Sequence, residues 1–331
     1  MRVTLVEFGA LKAGAAYNAC DIANQVQGAF EFVWHPEPLR FDKEKYLLPN
    51  GGYDLCRAAK EQAGLKDLPK PLILLSSLPF SIADYAEDED GFFFSQQVSY
   101  AEQGATIVST NLWEKMPGKR RLQPYFLTML AGLALRHISK LAYHEETRGC
   151  FFDLCDQAAD FDRMFTTEGI CDECEGQLEA KMRKGQIRVE QLASIKRLFN
   201  RGIGRKVCFM AMPFEESLLN IYALIANVFR QKKWEIIRAD EIARPRRITD
   251  RILLAILTSD LVLADLTSSN PNVFYELGLA HAVGADVILL TQESEVPFDV
   301  AAEHTIFYKA TEPELKKLEK RVAGFAGRGE P

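Results

Sequence analysis

Asp260-Leu-Val-Leu-Ala-Asp-Leu-Thr267, followed by Asn270-Pro-Asn-Val-Phe-Tyr-Glu-Leu-Gly-Leu-Ala-His-Ala282, decides how the last third of this chain is read. Leu261 to Leu266 is a run of strand length, apolar but for Asp265. Asn270-Pro271 opens a helix, because Asn can cap free amides and Pro at the first helical position gives up no hydrogen bond. A strand that passes through a short loop into a capped helix is one βα unit, and the unit recurs on either side. Val207 to Met212, Glu235 to Ala239 and Asp286 to Thr291 read as further strands, with helices at Glu216 to Gln231, Thr249 to Ser259 and Pro271 to Val283. Four strands separated by helices predict an α/β domain with a parallel sheet covered on both faces. A short strand, His304 to Tyr308, and a charged helix follow.

Working outward, the 331 residues, 47% hydrophobic and 26% charged, carry apolar material for two cores. In the first half Val3 to Phe8 and Ala29 to Trp34 read as strands around a helix from Ala15 to Gln27, and Pro71 to Ser76 as a buried strand. Gly91 to Tyr100 and Ala105 to Thr110 are further strands, and Gln123 to Leu141 has helical periodicity. This half is expected to be mixed α+β. Glu175 to Arg205 is polar and basic and ends in Arg201-Gly-Ile-Gly-Arg205, so the expected division is 1–176, a solvated helical linker 177–205, and 206–331.

The net charge of −6 offers no basic field for phosphate backbone or anionic lipid, so neither nucleic acid nor a membrane is expected as partner. No apolar run reaches the roughly 20 residues that span a bilayer. The N-terminus enters a strand-like run without the zones of a signal peptide, and reduced cysteines suit the same compartment; the expected location is the cytoplasm. Four of the seven cysteines form Cys150-x4-Cys155-x15-Cys171-x2-Cys174. Four thiolates with one tight Cys-x-x-Cys pair suit tetrahedral zinc, and a structural zinc on these four is expected; buried, unligated thiols are the other reading. No organic cofactor is expected.

In a parallel sheet ligands bind beyond the carboxyl ends of the strands. The residues there are Met212, Pro213 and Phe214; Asp240 and Glu241, with Arg244, Arg246 and Arg247; and Asp265, Thr267, Asn270 and Asn272. Glu276 stands four residues after Asn272, hence on the same face of the helix. It interrupts an apolar run without a packing reason and is expected to be ionised, favoured by the helix N-terminus. The three arginines suit a phosphate or pyrophosphate, as in a nucleotide or an NAD-like dinucleotide. The plain structural readings are a solvated Glu276, an Asp265 that caps a loop, and ordinary surface arginines. His281 lies off the face of Glu276 and reads as a packed or solvent histidine.

The segments Val207 to Phe214, Asp260 to Thr267 and Asn270 to Ala282 resemble the nucleoside 2-deoxyribosyltransferase and TIR-like nucleotide-processing superfamily over about 105 residues, Lys206 to Thr311. The resemblance implies a Rossmann-like (flavodoxin-like) fold and a retaining displacement at an N-glycosidic carbon. Glu276 would be the nucleophile, Asp265 would bond base or sugar, and Asn272 would hold sugar hydroxyls. It implies a homo-oligomer and, by context, an effector of bacterial stress or phage defence. The substrate would be a nucleoside, nucleotide or NAD-like molecule. The alternative is a module that binds a nucleotide signal without turnover; displacement needs a carboxylate at 276, binding does not.

Residues 1 to 176 resemble, more distantly, the archaemetzincin type of zincin metallopeptidase, through His144-Glu-Glu-Thr-Arg-Gly-Cys150 to Cys155 and Ile170-Cys-Asp-Glu-Cys174. The preceding helix lacks His-Glu-x-x-His, reading Leu130-Ala-Gly-Leu-Ala-Leu-Arg-His-Ile-Ser139. His137 and His144 alone cannot form a catalytic zinc site, so this half reads as a degenerate peptidase-like domain that keeps a structural metal. A protease would instead need two zinc ions per chain.

Overall fold

The computed structural model describes residues 1–9, 13–49, 51–62, 65, 67–78, 80–81, 95–98, 105–109, 122–142, 144, 146–153, 163–164, 167, 169–242 and 248–327. The fold is α/β, with two five-stranded sheets in two compact units, Met1–Ile203 and Gly204–Pro331.

The first unit runs β1 (Arg2–Glu7), α1 (Ala13–Val26), β2 (Glu31–Trp34), α2 (Lys43–Tyr46), β3 (Tyr53–Asp54), α3 (Leu55–Lys60), β4 (Leu72–Ser76), β5 (Phe80–Ser81), β6 (Ser95–Val98), β7 (Ala105–Ser109), α4 (Leu122–Ser139), α5 (Asp172–Arg183) and α6 (Val189–Ile203). Its main sheet has the order β2-β1-β4-β7-β6; the first four strands are parallel and β6 lies antiparallel on the edge. β3 and β5 form a separate parallel pair. Val6, Phe8, Leu72, Leu74 and Ile107 close one core with Tyr46, Leu55, Ala58 and Leu65. Helix α1 packs on β2 and on α4, and α4 packs along α6. The stretch expected as a solvated linker is thus built in: Leu192, Ile195, Leu198 and Phe199 recur at three- and four-residue spacing and are all buried.

The second unit runs β8 (Lys206–Ala211), α7 (Leu219–Gln231), β9 (Trp234–Arg238), α8 (Ile248–Thr258), β10 (Leu261–Asp265), α9 (Pro271–Ala282), β11 (Val287–Thr291), β12 (Thr305–Phe307) and α10 (Glu312–Ala326). The sheet order is β12-β11-β10-β8-β9, with every pair parallel. Side chains alternate across it. Cys208 and Met210 face a core closed by Ile221, Ile225 and Phe229 of α7 and Leu318 and Val322 of α10. Phe209 and Ala211 face the opposite core, closed by Ile252 and Ile256 of α8 and Val273, Leu277 and Ala280 of α9. Both faces being covered, the strands read as apolar runs rather than as alternation, and the strand order turns between β8 and β10, the place where sheets of this kind take ligands at their carboxyl ends. Among the described residues no helix is long and apolar enough to cross a membrane.

Candidate functional sites

Glu276 sits in the second turn of α9, sixth from Pro271. Asn270 begins that helix as expected: its Oδ1 accepts from Asn272 N at 2.9 Å, and Pro271 takes the first position. The side chain of Asn270 is therefore spent on the cap. Beyond the first turn the helix dipole has little hold, and burial decides instead. Glu276 is 6% exposed, between Val273, Leu277 and Ala280 in the packed face, and has no hydrogen-bond or salt-bridge partner among the described residues. Burial, then the negative charge of Asp240, pushes its carboxyl up to about 7. Burial thus favours the protonated form, against the expectation of a carboxylate held ionised by the helix N-terminus.

Asp265, the last residue of β10, is fully enclosed. Its Oδ2 accepts from Tyr308 OH at 2.6 Å; its Oδ1 accepts from Thr267 N at 3.0 Å and Thr267 Oγ1 at 2.6 Å. Gln292 N donates to Thr267 Oγ1 at 3.1 Å, tying the β11 loop to the same knot. These bonds fix the turn Thr267–Ser269, where Ser268 and Ser269 hold positive φ (65° and 49°), and so set where α9 begins.

Of the other expected residues, Met212 and Pro213 are buried, while Phe214, Asp240 and Asn272 are exposed around the carboxyl edge. Arg244, Arg246 and Arg247 lie outside the described residues. His281 stands 3.4 Å from Glu303 on the flank of α9. Arg238, which the sequence did not single out, ends β9 with its guanidinium forked onto Asp240. An Arg closing a strand, with Asp-Glu two residues further on, was the available signal.

In the first unit four metal-ligating side chains converge. His144, Cys150, Cys171 and Cys174 each offer one ligand atom, all within 4.8 Å of one another. Cys171 caps α5 and Cys174 lies in its first turn, which brings the Cys-x-x-Cys pair to one helix end. His144 Nε2 is 3.1 Å from Cys174 Sγ and 3.8 Å from Cys171 Sγ. Zinc bonds of about 2.3 Å to sulfur set tetrahedral edges of roughly 3.8 Å, so the spacing fits that ion. Cys155 lies outside the described residues; His144 holds the fourth place in the group.

Asp153 organises this cluster. It is buried, and Oδ2 accepts from the backbone N–H groups of Arg148, Gly149 and Cys150 at 2.7, 2.6 and 2.8 Å. Its Oδ1 pairs with His144 Nδ1 at 2.9 Å, which leaves Nε2 as the ligand atom. Gly149 is required there: φ is 81°, and a Cβ would stand 2.5 Å from Thr167 Cγ2. Burial raises the thiols of Cys150 and Cys174 above their ordinary value, the cost a cation would reverse by binding the thiolates. Four protein ligands fill a tetrahedral ion and leave no position for a reacting water.

No protein-family model matches the chain, and no curated protein matches it. Among solved structures it is similar to a CMP N-glycosidase, BcmB, from Clostridium botulinum, at 27% identity over 35% of this chain and 99% of that one, with a TM-score of 0.29. It is also similar to archaemetzincin from Methanopyrus kandleri, at 16% identity over 55% of this chain and 96% of that one, TM-score 0.39. A third is archaemetzincin from Archaeoglobus fulgidus complexed with malonate, at 11% identity over 54% and 99%, TM-score 0.37.

Proposed function

We propose that the second unit breaks the N-glycosidic bond of a nucleoside, nucleotide or NAD-like molecule, with Glu276 as nucleophile. The observation that carries this is a carboxyl buried on the apolar face of α9, near the carboxyl edge of a parallel sheet, with no partner among the described residues. Such a group costs stability and has no packing role, which is the signature of a group kept for chemistry. In its ionised form it attacks the anomeric carbon. A carbon–oxygen bond forms, the carbon–nitrogen bond breaks, and its electron pair leaves with the base, which takes up a proton. Water or a second base then attacks the same carbon, giving its proton to solvent, and the carboxylate is released. Asp265, whose oxygens are occupied by Thr267 and Tyr308, acts by positioning the Thr267–Asn270 turn rather than by touching substrate.

The first unit, in this reading, holds one structural zinc through His144, Cys150, Cys171 and Cys174, with Asp153 orienting the histidine. Bound there, the ion would cross-link the 144–153 loop to the start of α5.

The test is to incubate wild type and Glu276→Gln with nucleosides, nucleotides and NAD and to follow free base by chromatography. Release by wild type and not by the variant is the expected result. No release from any of them, with nucleotide binding retained, would replace the reading with that of a nucleotide-binding module.

A further inference from the structure

Arg238 is nine-tenths buried and only partly paired. Nε and Nη2 hold Asp240 bidentately at 2.6 and 2.5 Å. The guanidinium carbon lies 4.4 Å from the centroid of the Tyr222 ring and 5.6 Å from that of Phe214. Nη1 is buried and has no hydrogen-bond partner among the described residues. A charged donor held out of water without an acceptor is costly, and the fork onto Asp240 prevents it from turning towards solvent. Its acceptor is therefore to be sought in a ligand.

The surroundings define that ligand. Asp240 already balances the guanidinium, and Glu241, which accepts from Arg238 N at 3.2 Å and from Tyr222 OH at 2.6 Å, adds a second carboxylate. A phosphate would meet both, so the acceptor is a neutral one. The rings give its shape: the guanidinium is stacked by aromatic planes, and Phe214 is 55% exposed on the loop after β8. Arg238 ends β9 and Asp240 follows it, at the same carboxyl end of the sheet from which α9, the helix of Glu276, starts.

We propose that Arg238 reads the nucleobase: Nη1 donates to a carbonyl or ring nitrogen of a base that enters the stack with Tyr222 by displacing the exposed Phe214 ring. The location of the sugar rests on the Glu276 reading; the role of Arg238 is tested separately. The experiment titrates the full-length Glu276→Gln protein, with and without Arg238→Lys, against CMP, UMP, AMP and GMP by calorimetry. Lysine keeps the charge opposite Asp240 and loses the second amino group. The favoured nucleotide should lose affinity by about tenfold or more and the others less, so that discrimination among bases narrows. Equal loss for all four, no loss, or no binding of any nucleotide overturns the proposal. Should Arg238→Lys fail to fold, Phe214→Ala, which removes the ring that the base displaces, should strengthen binding of the favoured nucleotide severalfold; unchanged or weaker binding overturns the proposal. Uniform loss in a protein whose wild type releases base leaves Glu276 as nucleophile and removes the role of Arg238. Selective loss in a protein that releases no base does the reverse.

Discussion

Asp153 in the first unit and Glu276 in the second are both buried carboxyl side chains, and their surroundings are opposite. Asp153 accepts three backbone N–H groups and pairs with His144. Glu276 has no partner among the described residues, and Arg238 in the same unit keeps one buried amino group unmatched. A polar group whose every bond is made within the chain has nothing left to offer a substrate and serves to hold geometry, here that of four metal-ligating side chains. A polar group left unmatched stores the cost of its desolvation until a ligand relieves it. The contrast teaches which buried acid to suspect of chemistry, and it can be broken by experiment.

The largest effect is expected at Glu276 itself. Glu276→Gln should lower base release on the order of 10³-fold or more, read by chromatography under saturating substrate. Undiminished release would mean the unmatched carboxyl is not the nucleophile.

Next is the metal. His144→Ala should abolish stoichiometric zinc, measured on the purified protein by atomic absorption, while Cys155→Ser retains it. The opposite pattern would restore the four-cysteine set. Asp153→Asn should weaken zinc about 10- to 100-fold in competition with a chelating dye, because the histidine loses its orienting acceptor.

The third prediction concerns pH. The folded-state value of Glu276, about 7, lies above its ordinary 4.5, so the native chain holds a proton that the unfolded chain gives up. The associated stability is complete below the ordinary value and is lost as pH rises through about 7. Glu276→Gln has no such loss. Its stability relative to wild type should therefore rise by about 3 kcal/mol between pH 4 and pH 9 in denaturant unfolding. Base release by wild type should rise over the upper part of the same range, as the nucleophile ionises. A variant that tracks wild type at every pH would show that Glu276 is already solvated.

The smallest effect belongs to the matched acid of the second unit. Tyr308→Phe removes the donor to Asp265 Oδ2 and should cost about 1–3 kcal/mol in thermal unfolding. A negligible cost would mean that Asp265 is less dependent on its partners than the knot with Thr267 suggests.

Much of the second unit is legible in its residues alone. Apolar strands alternating with capped helices leave few choices but a doubly covered parallel sheet, and the Asn270-Pro271 start fixes α9 to the residue. The first unit is less legible. Helix α6 carries enough Lys, Arg and Glu to pass for a solvated linker, and its apolar stripe has a purpose only with α4 packed against it. His144 cannot build a catalytic zinc site with His137, and its place beside the cysteines depends on the turn that Asp153 and Gly149 make.

The sequence by itself determined the elements of the α/β unit, the acid that breaks an apolar helix face, and the thiols able to grip a metal, since periodicity, capping and ligand type are local properties. Only the tertiary structure decided the ionisation of Glu276, the engagement of Asp265 by Tyr308 and the open amino group of Arg238. Desolvation and hydrogen-bond satisfaction depend on what arrives from distant parts of the chain: Tyr308 is 43 residues from the acid it bonds, and Tyr222 reaches Glu241 across 19.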